Sequence, residues 1–153
     1  MKIMRKGADG ARFYSELING KFERNSGSEV LAPRKLKNGE ERTYHMFPTF
    51  EVIHTVIPPN GKESERHCHY CIYEYYYVVE GEVVYKEEGS PDVKLNKGDA
   101  LLTEPADKGA ELWHRIENAS PETCAVTLVV KVLADHVPQA AFITQDKVVE
   151  PDF

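Results

Sequence analysis

No segment of this 153-residue sequence approaches the ~20 consecutive apolar residues that cross a bilayer as a helix. The first ten residues are charged and lack the apolar centre of a secretory signal, so a cytoplasmic protein is expected, with no membrane partner. Cysteine is scarce: Cys68, Cys71 and Cys124 form an odd, sparse set that does not resemble a disulfide framework. An excess of basic charge is missing as well. Nineteen Lys and Arg stand against 25 Asp and Glu, for a formal net charge of -6, and no Lys/Arg run breaks the pattern. That balance argues against a nucleic-acid partner, which needs a basic face. Helical patterning is poor throughout, because Gly or Pro interrupts each candidate stretch. There is no internal repeat and no low-complexity tract.

What remains is a chain of single-domain length, 41% hydrophobic and 29% charged, long enough to bury a core. Residues 1–46 are polar and punctuated by Gly and Pro, and read as an N-terminal extension with one short strand or helix. Residues 47–134 are a series of short β-rich runs. Phe50 to Ile57 ends at Pro58-Pro59-Asn60-Gly61, and Tyr75 to Val79 ends at Glu80-Gly81. Further runs are Glu82 to Lys86, Val93 to Leu95, Ala100 to Glu104, Leu112 to Glu117 and Cys124 to Leu133. Regular turn signals between such runs predict an all-β sandwich or closed barrel. In the last run Lys131 marks the face it shares with Ala125, Thr127 and Val129 as the wetter one. Residues 135–153 are expected as a tail packed on this body.

The informative stretch is His67-Cys68-His69, followed by Glu74. On a strand, residues i and i+2 point the same way, so two imidazoles at that spacing can lean onto one metal ion. Glu74 lies at an odd offset from His69. It joins the same site only if the chain turns between Tyr70 and Tyr73, or if Glu74 sits on the next strand. His114 is the fourth candidate, facing inward with Leu112 and Ile116 while Trp113 and Arg115 face out. Cys68-x-x-Cys71 is a weak zinc motif, since structural zinc needs a second pair and Cys68 points away from its flanking histidines. His54 shares a face with Phe50, Val52 and Val56, and two readings stay open for it: a satisfied core histidine or a pocket residue. Tyr70, Tyr73, Tyr75, Tyr76 and Tyr77 read mainly as packing and interface, with one or two hydroxyls, Tyr76 among them, directed into a pocket. Glu104 and Asn118 are candidates for supporting the ligands. Gly61, Gly81 and Gly98 read as turn positions needing positive φ.

These residues resemble both motifs of the cupin superfamily. Gly61, His67, His69, Glu74 and Gly81 match the first motif in order and spacing. Gly98, Pro105, Gly109, His114 and Asn118 match the second, with loops longer than the family pattern around Pro105 and Gly109. The resemblance spans Val52 to Val132. It implies an all-β, cupin-type double-stranded β-helix, a jelly-roll barrel, and frequent homodimerisation. It also implies one divalent metal ion (Fe, Mn, Ni, Co or Zn) held by His67, His69, Glu74 and His114. Such a centre leaves coordination positions open to a small oxygen-rich molecule, and a dioxygenase-type oxidoreductase is the leading expectation. A metal-dependent lyase or isomerase, and a non-catalytic small-ligand binding or sensing barrel, are the alternatives; the fold does not choose among them.

Overall fold

The computed structural model describes residues 2–6, 12–24, 29–30, 34–46, 50–62, 66–107, 109–134 and 147–149. Among them there is no helix, so none long and apolar enough to cross a membrane. Strands β1 (Lys2–Lys6), β2 (Arg12–Ile18) and β3 (Lys21–Arg24) form a small antiparallel sheet. The body is built from two larger antiparallel sheets. The first takes β4 (Glu29–Val30), β6 (Glu41–Met46), β7 (Phe50–Ile57), β9 (Ile72–Glu80), β12 (Ala100–Thr103) and β14 (Ala125–Leu133), in the order β12-β9-β14-β7-β6-β4. β5 (Arg34–Lys35) pairs with β6. The second takes β8 (His67–His69), β10 (Glu82–Glu87), β11 (Val93–Asn96), β13 (His114–Asn118) and β15 (Lys147–Val149), in the order β11-β10-β13-β8-β15.

The core draws on both sheets. Ile53, Tyr76, Val78 and Val129 of the first pack with Val83, Tyr85, Leu95 and Ile116 of the second. Period-2 alternation selects these residues: in β9, Ile72, Glu74, Tyr76 and Val78 are buried while Tyr73, Tyr75, Tyr77 and Val79 are exposed. This is the all-β body of two packed antiparallel sheets expected from the sequence.

Three expectations need correction. In place of one short strand or helix, the described residues of 1–46 hold six strands, and β6 pairs with β7 from Glu41↔Val56 to Met46↔Glu51. Polar alternation without apolar runs hid these strands. Second, the inward face of β14 is the one that carries Lys131. Ala125, Thr127 and Val129 are buried on it, and Lys131 itself is 12% exposed. The charge marks a buried partner there, not water. Third, Gly61 does not have positive φ. A Cβ there would lie 2.7 Å from the Pro58 carbonyl oxygen, so close approach requires the glycine. Gly81 does have positive φ (78°), and its Cβ would press on Ala125 Cα at 3.1 Å. The expected tail falls mostly outside the described residues; its described part, β15, pairs with β8.

Candidate metal centre

β8 is three residues long and directs His67 and His69 to one side, both buried. The chain then bends at Tyr70 and Cys71 and enters β9, in the opposite sheet, at Ile72. That crossing resolves the odd offset of Glu74: it faces the histidines from the other wall. His114 opens β13 and stands opposite His67 in register. The four residues are each at most 4% exposed. Each offers one ligand atom within 4.8 Å of the others. The rings of His67 and His114 lie 4.7 Å apart, and those of His67 and His69 5.1 Å.

Neighbouring groups fix how these atoms are presented. His114 Nδ1 lies 2.9 Å from the Leu112 carbonyl oxygen. Only an N–H can bond a carbonyl, so Nδ1 carries a proton, which turns Nε2 toward Glu74 Oε2 at 3.3 Å. The Tyr76 hydroxyl donates to that same Oε2 at 2.6 Å. His69 Nε2 stands 3.7 Å from Glu74 Oε1. Imidazole nitrogens gathered on a carboxylate need either protons or a cation among them, so this donor set fits a divalent ion. Three imidazoles and a carboxylate suit Fe, Mn, Ni, Co or Zn alike.

The sequence reading missed Lys131. Its Nζ lies 2.9 Å from Glu74 Oε1 and 3.3 Å from His69 Nε2. Burial works to raise the Glu74 carboxyl, but Lys131, the hydrogen bond with His114, and His69 and His67 outweigh it. The group is held well below the usual carboxylate range. Glu51, in register with Lys131 on β7, is pushed up by burial and pulled back by Lys131. A lone lysine on the buried face of the longest apolar strand was the available signal, since an ammonium is buried only with an anionic partner.

The remaining candidates separate. Tyr76 touches the centre. His54 does not: in β7 the inward residues are Ile53, Thr55 and Ile57, and His54 alternates onto the opposite face. Asn118 is buried but engages backbone alone. Its Nδ2 donates to the carbonyls of Ile57, Pro58 and Thr123 at 3.1, 3.0 and 2.8 Å, and its Oδ1 accepts from Ser120 N at 2.9 Å. Its own N–H donates to Gly61 O at 2.8 Å, so these two motif residues clamp a loop and hold no ligand. Glu104 lines a cavity of about 420 Å³ with Tyr85, Leu101, Leu102 and Leu112. None of the four ligand-type residues lines this cavity; its link to them is Tyr85, whose ring stacks on His114 with centroids 5.6 Å apart. Among the described residues no disulfide joins Cys68, Cys71 or Cys124; Cys68 is buried and Cys124 exposed.

Comparison with solved structures agrees with this architecture. A protein with a double-stranded β-helix domain from Klebsiella pneumoniae superposes with a TM-score of 0.57 at 16% identity, covering 76% of this chain and 88% of that one. A predicted oxalate decarboxylase from Thermotoga maritima gives 0.56 at 24% identity, covering 69% and 95%. A sugar phosphate isomerase from Silicibacter pomeroyi gives 0.49 at 24% identity, and the match spans 60% of this chain and 59% of that one. No curated protein matches the sequence. The cupin domain family model matches residues 53–131, just over half of the chain and the part that holds all four metal-type ligands, and the chain belongs to the cupin family.

Proposed function

We propose that this cupin is a metal-dependent enzyme, an oxidoreductase of dioxygenase type that acts on a small oxygen-rich metabolite in the cytoplasm. The observation that supports it is the convergence of His67, His69, Glu74 and His114, all buried, with ligand atoms within 4.8 Å of one another. A divalent ion held there would supply Lewis-acid and one-electron chemistry at coordination positions the protein leaves open. The residues around it have separate tasks. Tyr76 holds one Glu74 oxygen and the Leu112 carbonyl holds the His114 tautomer, which fixes the ligand geometry. Lys131 brings a positive charge to the edge of the centre, paired with Glu74 and in register with Glu51 on the neighbouring strand. The 420 Å³ cavity has the size for a small substrate, and its wall residue Tyr85 also packs on His114. Free thiols accord with a reducing compartment.

The test is oxygen uptake by protein loaded with one equivalent of Fe(II), Mn(II) or Ni(II), against a panel of enols, diketones, catechols and small carboxylic acids. Uptake with stoichiometric product supports the proposal. Product under strictly anaerobic conditions moves the assignment to a lyase or isomerase, the classes named for the Thermotoga and Silicibacter proteins. A ligand retained unchanged through long incubation moves it to a binding module. We also propose a homodimer formed through the outer face of the first sheet, where Tyr73, Tyr75, Tyr77, Leu102 and Val132 are exposed together.

A further inference from the structure

We propose that Lys131 is a tethered cation that competes with the divalent ion for the centre and so sets the chain's metal affinity from outside the ligand set. The inference rests on the metal reading given above. β14 lies between β9 and β7, and Lys131 stands in register with Glu74 on one side and Glu51 on the other. Its ammonium is 2.9 Å from Glu74 Oε1 and 3.3 Å from His69 Nε2. Both atoms belong to residues of the ligand set. An imidazole nitrogen has one lone pair; when it accepts an ammonium N–H it cannot bond a metal. A divalent ion within ligand distance of the same two atoms would also stand within a few ångströms of the ammonium, where like charges repel strongly in a water-poor interior. Metal entry therefore requires Lys131 to leave His69.

The register supplies a place for it to go. Glu51 is a half-buried carboxyl opposite Lys131 on the next strand, and the two already interact electrostatically. An ammonium displaced from Glu74 toward Glu51 stays paired and stays buried, which avoids the cost of an isolated interior charge. Lys131 thus acts as a two-position counter-charge: on Glu74 and His69 when no ion binds, on Glu51 when one does. A lysine kept only for stability would have no reason to touch a ligand nitrogen as well as a carboxylate.

The experiment measures Zn(II) and Mn(II) affinity of chelator-stripped protein by competition with a chromophoric chelator. The Lys131→Met side chain keeps the length and loses the charge, and it should bind Zn(II) at least about tenfold more tightly than wild type. Lys131→Arg keeps the charge and should not show the gain. Glu51→Gln removes the second position and should weaken binding in the wild-type background but much less in the Lys131→Met background. Binding by Lys131→Met that is equal to or weaker than wild type overturns the proposal. Should Lys131→Met fail to fold, the wild-type protein decides. Its Lys131 ε-methylene NMR resonance, assigned by its loss in Lys131→Arg, should shift on adding one equivalent of Zn(II), and an unmoved resonance overturns the proposal. Stoichiometric binding by wild type with no gain in the variant sinks this inference alone. Absence of binding in wild type and all variants sinks the metal reading with it.

Discussion

Tyr76 and Asn118 are both buried polar residues of the cupin-matched region, and their partners give them opposite roles. Tyr76 donates a 2.6 Å hydrogen bond to a carboxylate oxygen of Glu74. Tyr76→Phe keeps the ring in the core and loses that bond. Groups that orient metal ligands are typically worth about 10- to 100-fold in metal affinity. We expect Tyr76→Phe to lower metal affinity by about tenfold, with thermal stability of the stripped protein nearly unchanged, checked by chelator competition and calorimetry. Asn118 closes four side-chain bonds to backbone and none to a ligand. Asn118→Ala leaves buried carbonyls unpaired and should cost about 2–4 kcal/mol in denaturant unfolding. The folded fraction should still bind one ion, which separates a clamp from a ligand support. At this scale the sequence was legible where identity and spacing sufficed, as in the His67, His69, Glu74, His114 set. It misled where a charge had to be assigned a side. Lys131 reads as solvated until its partner Glu74, 57 positions away in sequence, is placed against it in space. His54 reads as inward because both faces of β7 carry apolar residues, and the inward one is chosen by the sheet it faces.

Strand β8 is the weak element of the site. It carries two of the four ligands on three residues, and it pairs with β13 only at His67↔His114. Its other edge is covered along its whole length by β15, with Lys147↔His69, Val148↔Cys68 and Val149↔His67. A three-residue strand held at one position on one side depends on the ladder on the other. Truncation after Ala134 removes that ladder. We expect it to lower metal affinity by about tenfold or more and to raise hydrogen exchange at Cys68 and His69. Unchanged exchange there would show that β8 holds itself. The element pattern also explains what the sequence revealed. β9 and β14 were readable as strands because aromatic and β-branched residues dominate Tyr75 to Val79 and Cys124 to Leu133, while Glu74 and Lys131 interrupt their inward faces. β8 is too short to alternate, and β1 to β6 lack an apolar face in sequence.

Across the whole molecule, one surface and one interior point need an explanation that packing does not provide. The surface is the outer face of β9, β12 and β14, where tyrosines and aliphatics stand at 37–56% exposure. Pairing with a second copy would cover it. Tyr75→Glu places a charge at its centre and should convert a dimer to a monomer in light scattering, with the fold retained by circular dichroism. The interior point is the meeting of His67, His69, Glu74 and His114 between the two sheets, four groups that a metal-free core would have no use for. Elemental analysis of protein purified without a chelating tag, alongside His67→Ala and His114→Ala, tests that point directly. We expect close to one divalent ion per wild-type chain and nearly none in either folded variant. Equal metal content in all three, or none in the wild type after incubation with each candidate ion, would contradict it.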